Sequence, residues 1–248
     1  VPSWYSGENI THNINVIPYP NFDRQSDLDV WKIAKTDGVT VKYNASMGSS
    51  QPGSIEIAFS EPGNATLSIN FQYPYKIPPQ SFKGKFSYYL TAMNEAPKTE
   101  AKITILTNFV RQGARIRTYQ SSMPLLVYFT NDQMNRWILI KNEIDSANNR
   151  LISLYQSEMG KLPQDAIFAK PANYTFVINV QFNGNASQLG NPKLYLDDIQ
   201  LIIYGNSFGL LGTDWMGRDI FTQLIIGTRI SFIIGILSAI LSVGIGLI

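Results

Sequence analysis

The chain has 248 residues, 44% of them hydrophobic, enough apolar content to bury a large core. Only 15% are charged, against about 25% in an ordinary globular domain, and the net charge of +2 gives no electrostatic footprint for nucleic acid. There is no cysteine, which excludes disulfides, thiolate catalysis and Cys-based metal sites, and the single histidine, His12, cannot build a zinc site.

Residues 1–20 are polar with few apolar alternations and read as a leader or linker from an upstream segment. Residues 21–206 then read as strand after strand. Val39, Val41 and Tyr43 alternate with polar partners, as do Ile55, Ile57 and Phe59, and then Leu67, Ile69, Phe71 and Tyr73. Phe86, Tyr88, Leu90 and Ala92 follow, with Ile103 and Ile105, and a looser set at Trp137, Leu139 and Lys141. Phe176, Ile178, Val180 and Phe182 alternate most cleanly, before Leu194, Leu196, Ile199, Leu201 and Ile203. The change of parity across Asp197-Asp198 predicts a bulge. Period-two patterning broken by Gly, Pro and Asn is the mark of antiparallel sheet, and about eight such runs predict a mainly β, two-sheet sandwich. Pro74, Pro78, Pro79, Pro163 and Pro171 mark edges and connections, because proline cannot donate within a central ladder. One helical turn is predicted near Ser146 to Leu154.

Asn21-Phe22-Asp23, Phe86 to Leu90, Trp137 to Ile140 and the closing run Leu194 to Leu201 resemble a galactose-binding-like jelly roll, the fold of many carbohydrate-binding modules. In such modules exposed aromatic rings stack on sugar faces. The candidates are Trp4, Tyr5, Trp31, Tyr73, Tyr75, Tyr119 and Trp137; Trp31 and Trp137 are expected to fill the core, and Tyr73 and Tyr75, flanking Pro74, to be exposed ligand contacts. The resemblance also implies a structural calcium, with Asp197 and Asp198 as its ligands among the six or more oxygens calcium takes. Sequons at Asn9, Asn44, Asn64, Asn173 and Asn185 are candidate glycosylation sites. No catalytic constellation emerges: the carboxylates are scattered, and there is no G-x-S-x-G and no phosphate loop.

Residues 207–229 open with Leu211-Gly212-Thr213-Asp214 and Gly217-Arg218-Asp219, and continue through an amphipathic stretch to Gly227 and Arg229. From Ile230 to Ile248 there is no charge. At about 1.5 Å per residue this run is roughly 28 Å long, the thickness of a bilayer's hydrocarbon, so an interfacial helix followed by a transmembrane helix is predicted. Gly235, Ala239, Ser242 and Gly246 form a small-residue stripe suited to helix packing. The L-G-T-D-x-x-G-R-D motif with Gly227-Thr228-Arg229-Ile230-Ser231 resembles the dipeptide/oligopeptide/nickel permease family of ABC importers. That resemblance implies a transport subunit with no enzymatic activity of its own. It also implies a second permease subunit, two ATP-binding subunits and an extracytoplasmic solute-binding protein as partners. The protein would then lie in the cell membrane, with residues 1–229 outside and the sandwich docking the binding protein or gating entry. Two other readings stand beside it: a membrane-anchored carbohydrate-binding module with no transport role, and an accessory domain of a cell-surface glycosidase.

Overall fold

A computed structural model describes residues 13–205 and 220–246. Twelve strands in the first of these segments form two sheets in which the named pairings are all antiparallel. One sheet contains β1 (Ile14–Asn15), β3 (Val39–Asn44), β4 (Ser54–Phe59), β6 (Ser81–Thr91), β10 (Trp137–Asp145) and β12 (Lys193–Tyr204). Its order is β10-β6-β12-β4-β3, with β1 also on β12. The other contains β2 (Lys32–Lys35), β5 (Gly63–Tyr73), β7 (Lys102–Arg111), β8 (Arg117–Gln120), β9 (Leu125–Tyr128) and β11 (Ala172–Asn183). Its order is β2-β5-β11-β7-β8, with β9 also on β7. The predicted two-sheet antiparallel sandwich is therefore present. The alternations found in the sequence lie on β3, β4, β5, β6, β7, β10, β11 and β12, while β1, β2, β8 and β9 are too short to carry a period.

The hydrophobic alternation sets the register. On β11, Tyr174, Phe176, Ile178, Val180 and Phe182 point inward, and β5 pairs with it unbroken from Tyr73↔Ala172 to Gly63↔Phe182. A slip of one residue would turn every one of these side chains to the other face of the sheet. Phe109 lies at the centre, its ring 5.3 Å from Phe82, 5.2 Å from Phe168 and 5.6 Å from Phe176. Each such ring contributes roughly 1.5–3 kcal/mol by burial, and each good ring pair about 0.5–1.5 kcal/mol more.

The predicted helical turn is longer than expected. α1 runs Asn149–Met159, where Asn148 caps it by accepting from Arg150 N at 3.0 Å, and Gly160 ends it at φ 63°. Leu151 and Tyr155 are its buried face, and Tyr155 donates to the Gln120 carbonyl at 2.7 Å. α2 (Pro163–Ile167) starts on a proline, which needs no N–H there, and leads into β11; α3 (Ala186–Leu189) joins β11 to β12. On β12 the register with β6 shifts between Asp197 and Gln200, and Asp198 has φ 51°, a bulge where the parity of the sequence changes.

α4 is one helix, Ile220–Gly246, not an interfacial segment joined to a separate span at residue 230. Several side chains inside it lie outside the description; those described, such as Phe232 and Ile236, are exposed. Among the described residues no helix is long and apolar enough to cross a membrane, which corrects the predicted transmembrane helix. A Cβ added at Gly227 or Gly235 would meet nothing within 4 Å, so the small-residue stripe packs on no described neighbour there.

Candidate functional site

The outer face of the first sheet carries a row of side chains drawn from five strands. Trp137 of β10 stands opposite Tyr89 of β6, Tyr89 opposite Tyr195 of β12, Tyr195 opposite Glu56 of β4, and Glu56 opposite Lys42 of β3. They share a face because their chain neighbours Ile138, Tyr88, Leu90, Leu194, Leu196, Ile55 and Ile57 pack against the core. The Tyr89 ring is 5.6 Å from Trp137 and 6.0 Å from Tyr195, both tilted or edge-on. Trp137 and Tyr89 are half-buried, and Tyr195 is only 6% exposed. The result is an aromatic platform ending at a carboxylate.

That carboxylate is held firmly. Glu56 is 3% exposed, with Lys42 Nζ at 3.3 Å and Lys193 Nζ at 3.4 Å from Oε1. Asn44 Nδ2 donates to its Oε2 at 2.7 Å. Burial works to raise the Glu56 pKa, but Asn44 and the two lysines outweigh it and keep the group below the ordinary carboxylate range. Burial, with the neighbouring Glu56 charge, raises the Tyr195 hydroxyl above its ordinary value. Near neutral pH the row therefore presents the Trp137 and Tyr89 rings and the Lys42 and Lys193 ammonium groups, with the ionised Glu56 and the neutral Tyr195 phenol largely covered between them.

Two residues beyond Tyr195 on β12, Asp197 is fully buried. Its Oδ2 accepts from Ser49 N and its Oδ1 from Asp198 N, each at 2.7 Å. Burial pushes its pKa up to about 6, against the two N–H donors that lower it. Asp198 accepts from Ser50 Oγ at 3.2 Å and from Ser87 Oγ at 3.3 Å. Among the described residues no group of three His, Cys, Asp or Glu side chains is placed to hold a metal ion. Each Asp197 oxygen accepts one N–H, and the carboxylates acting on it are those of Asp198 and Asp23.

The other residues singled out in the sequence fall elsewhere. Tyr73, expected to be exposed at its turn, is fully buried, donates to the Ile77 carbonyl at 2.6 Å, and packs 4.9 Å from Phe168. Tyr75 stands edge-on to it at 5.4 Å and is half-buried. Trp31 is in the core as expected, and Tyr119 is buried at 5% exposure. Trp137 was expected there too, and faces outward instead. Tyr89 and Tyr195 were missed; the signal available was that each alternates with core residues on its strand. Asn64, Asn173 and Asn185 are exposed, but the Asn44 nitrogen that would carry a glycan is bonded to Glu56. Arg229 and Gly227 lie exposed on α4. Asn9, His12, Trp4, Tyr5, Leu211, Gly212, Thr213, Asp214, Gly217, Arg218 and Asp219 lie outside the described residues.

No protein-family model and no curated protein matches the chain. Among solved structures it is similar to TmCBM61, determined in complex with β-1,4-galactotriose, with 13% identity over 76% of this chain and 97% of that one, at a TM-score of 0.42. It is also similar to the CBM22-2 xylan-binding domain of Paenibacillus barcinonensis, with 10% identity over 74% and 97% of the two chains, at a TM-score of 0.42. A further CBM22 xylan-binding domain matches at 11% identity, 78% and 97% coverage and a TM-score of 0.41.

The permease resemblance of residues 208–248 is overturned. No family model matches the chain, and among the described residues no helix is long and apolar enough to cross a membrane. The second permease subunit, the ATP-binding subunits, the solute-binding protein and the cell-membrane placement with residues 1–229 outside, all of which that resemblance implied, are withdrawn with it.

Proposed function

We propose that the sandwich is a carbohydrate-binding domain that holds a neutral sugar chain across the outer face of its first sheet. The observation that carries this reading is the registered row Trp137, Tyr89, Tyr195, Glu56. Sugar rings have an apolar face of C–H groups and a rim of hydroxyls. The first suits the half-exposed Trp137 and Tyr89 rings. The second suits the exposed ammonium donors Lys42 and Lys193, which the buried Glu56 holds in place. Glu56 with Lys42 and Lys193 leaves one net positive charge at the end of the row, and it is the Trp137 and Tyr89 rings that call for an uncharged sugar face. The work assigned to the domain is binding rather than catalysis, since Glu56 is buried and held by Asn44, Lys42 and Lys193.

The test is affinity gel electrophoresis of the whole chain against a panel of neutral polysaccharides, with Trp137→Ala as the companion variant. Retardation by at least one polymer, lost in the variant, supports the proposal. Equal migration of both proteins through every polymer overturns it.

A further inference from the structure

Five cations gather at one end of the second sheet, away from the Trp137 row. Arg111 closes β7, Arg117 opens β8, and Arg115 stands in the turn between them. Lys161 follows α1, and Lys170 precedes β11. These residues line two neighbouring clefts of about 340 Å³ each, which share Arg111, Arg117 and Lys170. Among the described residues no carboxylate lines either cleft and none of the five cations is in an ion pair. Glu158 on α1 and Asp165 on α2 are the acids closest along the chain, and neither reaches the lining.

Arg115, Arg117, Lys161 and Lys170 are exposed. Arg111 is half-buried, its guanidinium 5.5 Å from the centre of the Tyr119 ring, and it lies beside the Tyr174 hydroxyl. Arg111 is thus anchored, and the other four are free to turn toward a ligand. Clustering like charges without counter-charges costs free energy, and a chain with a net charge of +2 has no general surplus to explain it. The contrast with Glu56, where two lysines meet a carboxylate, is direct.

The surface next to the clefts is uncharged and rich in amides. Gln112, which lines one cleft, donates from Nε2 to Thr175 Oγ1 at 3.1 Å, and Thr175 donates to Asn70 Oδ1 at 2.7 Å. The same face continues along β5 and β11 to Thr66, which donates to Asn179 Oδ1 at 3.0 Å. Between them the outward positions are Ser68 and Val177. Amide and hydroxyl groups match sugar hydroxyls. Guanidinium forks match carboxylate or sulfate oxygens in pairs.

We propose that this end of the sandwich binds the carboxylate or sulfate groups of an acidic polysaccharide, with its sugar hydroxyls running onto the Gln112–Thr175–Asn70 face. The probes are polygalacturonate for carboxylate, dextran sulfate for sulfate, neutral dextran as the uncharged control, and an oligothymidylate for a polyanion of another class. Affinity electrophoresis of the whole chain at low salt should show retardation by polygalacturonate, dextran sulfate or both, weakening as salt screens the charges, and, for the Trp137→Ala chain, none by dextran. R117Q/K170Q should weaken binding at least about tenfold while leaving the circular dichroism and melting temperature unchanged. K32Q/K35Q, on the opposite edge of the same sheet, should leave it unchanged. The proposal fails if neither acidic polymer binds, if K32Q/K35Q weakens binding as much as R117Q/K170Q, or if oligothymidylate binds more tightly than both. Trp137→Ala should leave acidic-polymer binding intact, so this site and the aromatic platform stand or fall separately.

Discussion

Replacing Trp137 by alanine separates folding from binding. The indole stands on the outer face of β10, half-buried, in ring contact with Tyr89 at 5.6 Å. Truncation removes that ring contact, worth about 0.5–1.5 kcal/mol, and part of the side chain's burial. No core cavity is left, because the core-facing neighbours Ile138 and Ile140 remain. The expected loss of stability is therefore about 1–2 kcal/mol, a fall in melting temperature of roughly 2–8 °C for a domain of this size. Leu196→Ala, fully buried on the other face of β12, should cost about 2–5 kcal/mol by cavity formation. Urea denaturation followed by far-ultraviolet circular dichroism measures both. On polysaccharide gels, Trp137→Ala should lose at least about tenfold in affinity, or 1.4 kcal/mol. A stability loss for Trp137→Ala as large as that of Leu196→Ala would refute the outward placement, and unchanged binding would refute the platform.

Three further outcomes are expected. Asp197 has a raised pKa of about 6 when folded, so the folded state binds its proton more tightly than the unfolded chain does. Stability should be greatest below about pH 4 as far as this group is concerned, and fall as pH rises toward 6, by at most about 3 kcal/mol; urea midpoints for wild type and Asp197→Asn should show the slope in the first only. Glu56 is shifted the other way, so its contribution is present above the usual carboxylate pKa of about 4.3 and disappears as pH falls through its lowered folded value. Glu56→Ala should cost about 1–2 kcal/mol near neutral pH by urea denaturation, modest because both lysines are 41% or more exposed and remain hydrated. In a host that modifies sequons, peptide mass mapping should find glycan at Asn64, Asn173 or Asn185 and none at Asn44, whose side-chain nitrogen is engaged by Glu56.

The β10 strand shows where a one-dimensional reading goes astray. Trp137, Leu139 and Lys141 alternate, and the size of the indole suggests that this parity faces the core. The intervening Ile138 and Ile140 alternate equally well, and pairing with β6 places them inward opposite Tyr88 and Phe86. Both parities of the strand are apolar, so only the partner strand could choose between them. Tyr73 fails for a related reason. Its prolines mark a turn correctly, but the preceding β5 parity carries Leu67, Ile69, Phe71 and Tyr73 inward together, and the chain turns only after the ring is buried.

By itself the sequence determined the mainly β sandwich, most of its long strands, the bulge at Asp197-Asp198 and the buried place of Trp31. These follow from alternation and turn chemistry, which are local and periodic. Tertiary structure decided that Trp137, Tyr89, Tyr195 and Glu56, far apart in the chain, stand in one row across four adjacent strands. It also decided that Arg111, Arg117, Lys161 and Lys170 converge at one end of the other sheet. Strand order and register bring such residues together, and neither leaves a mark on the spacing of residues along the chain.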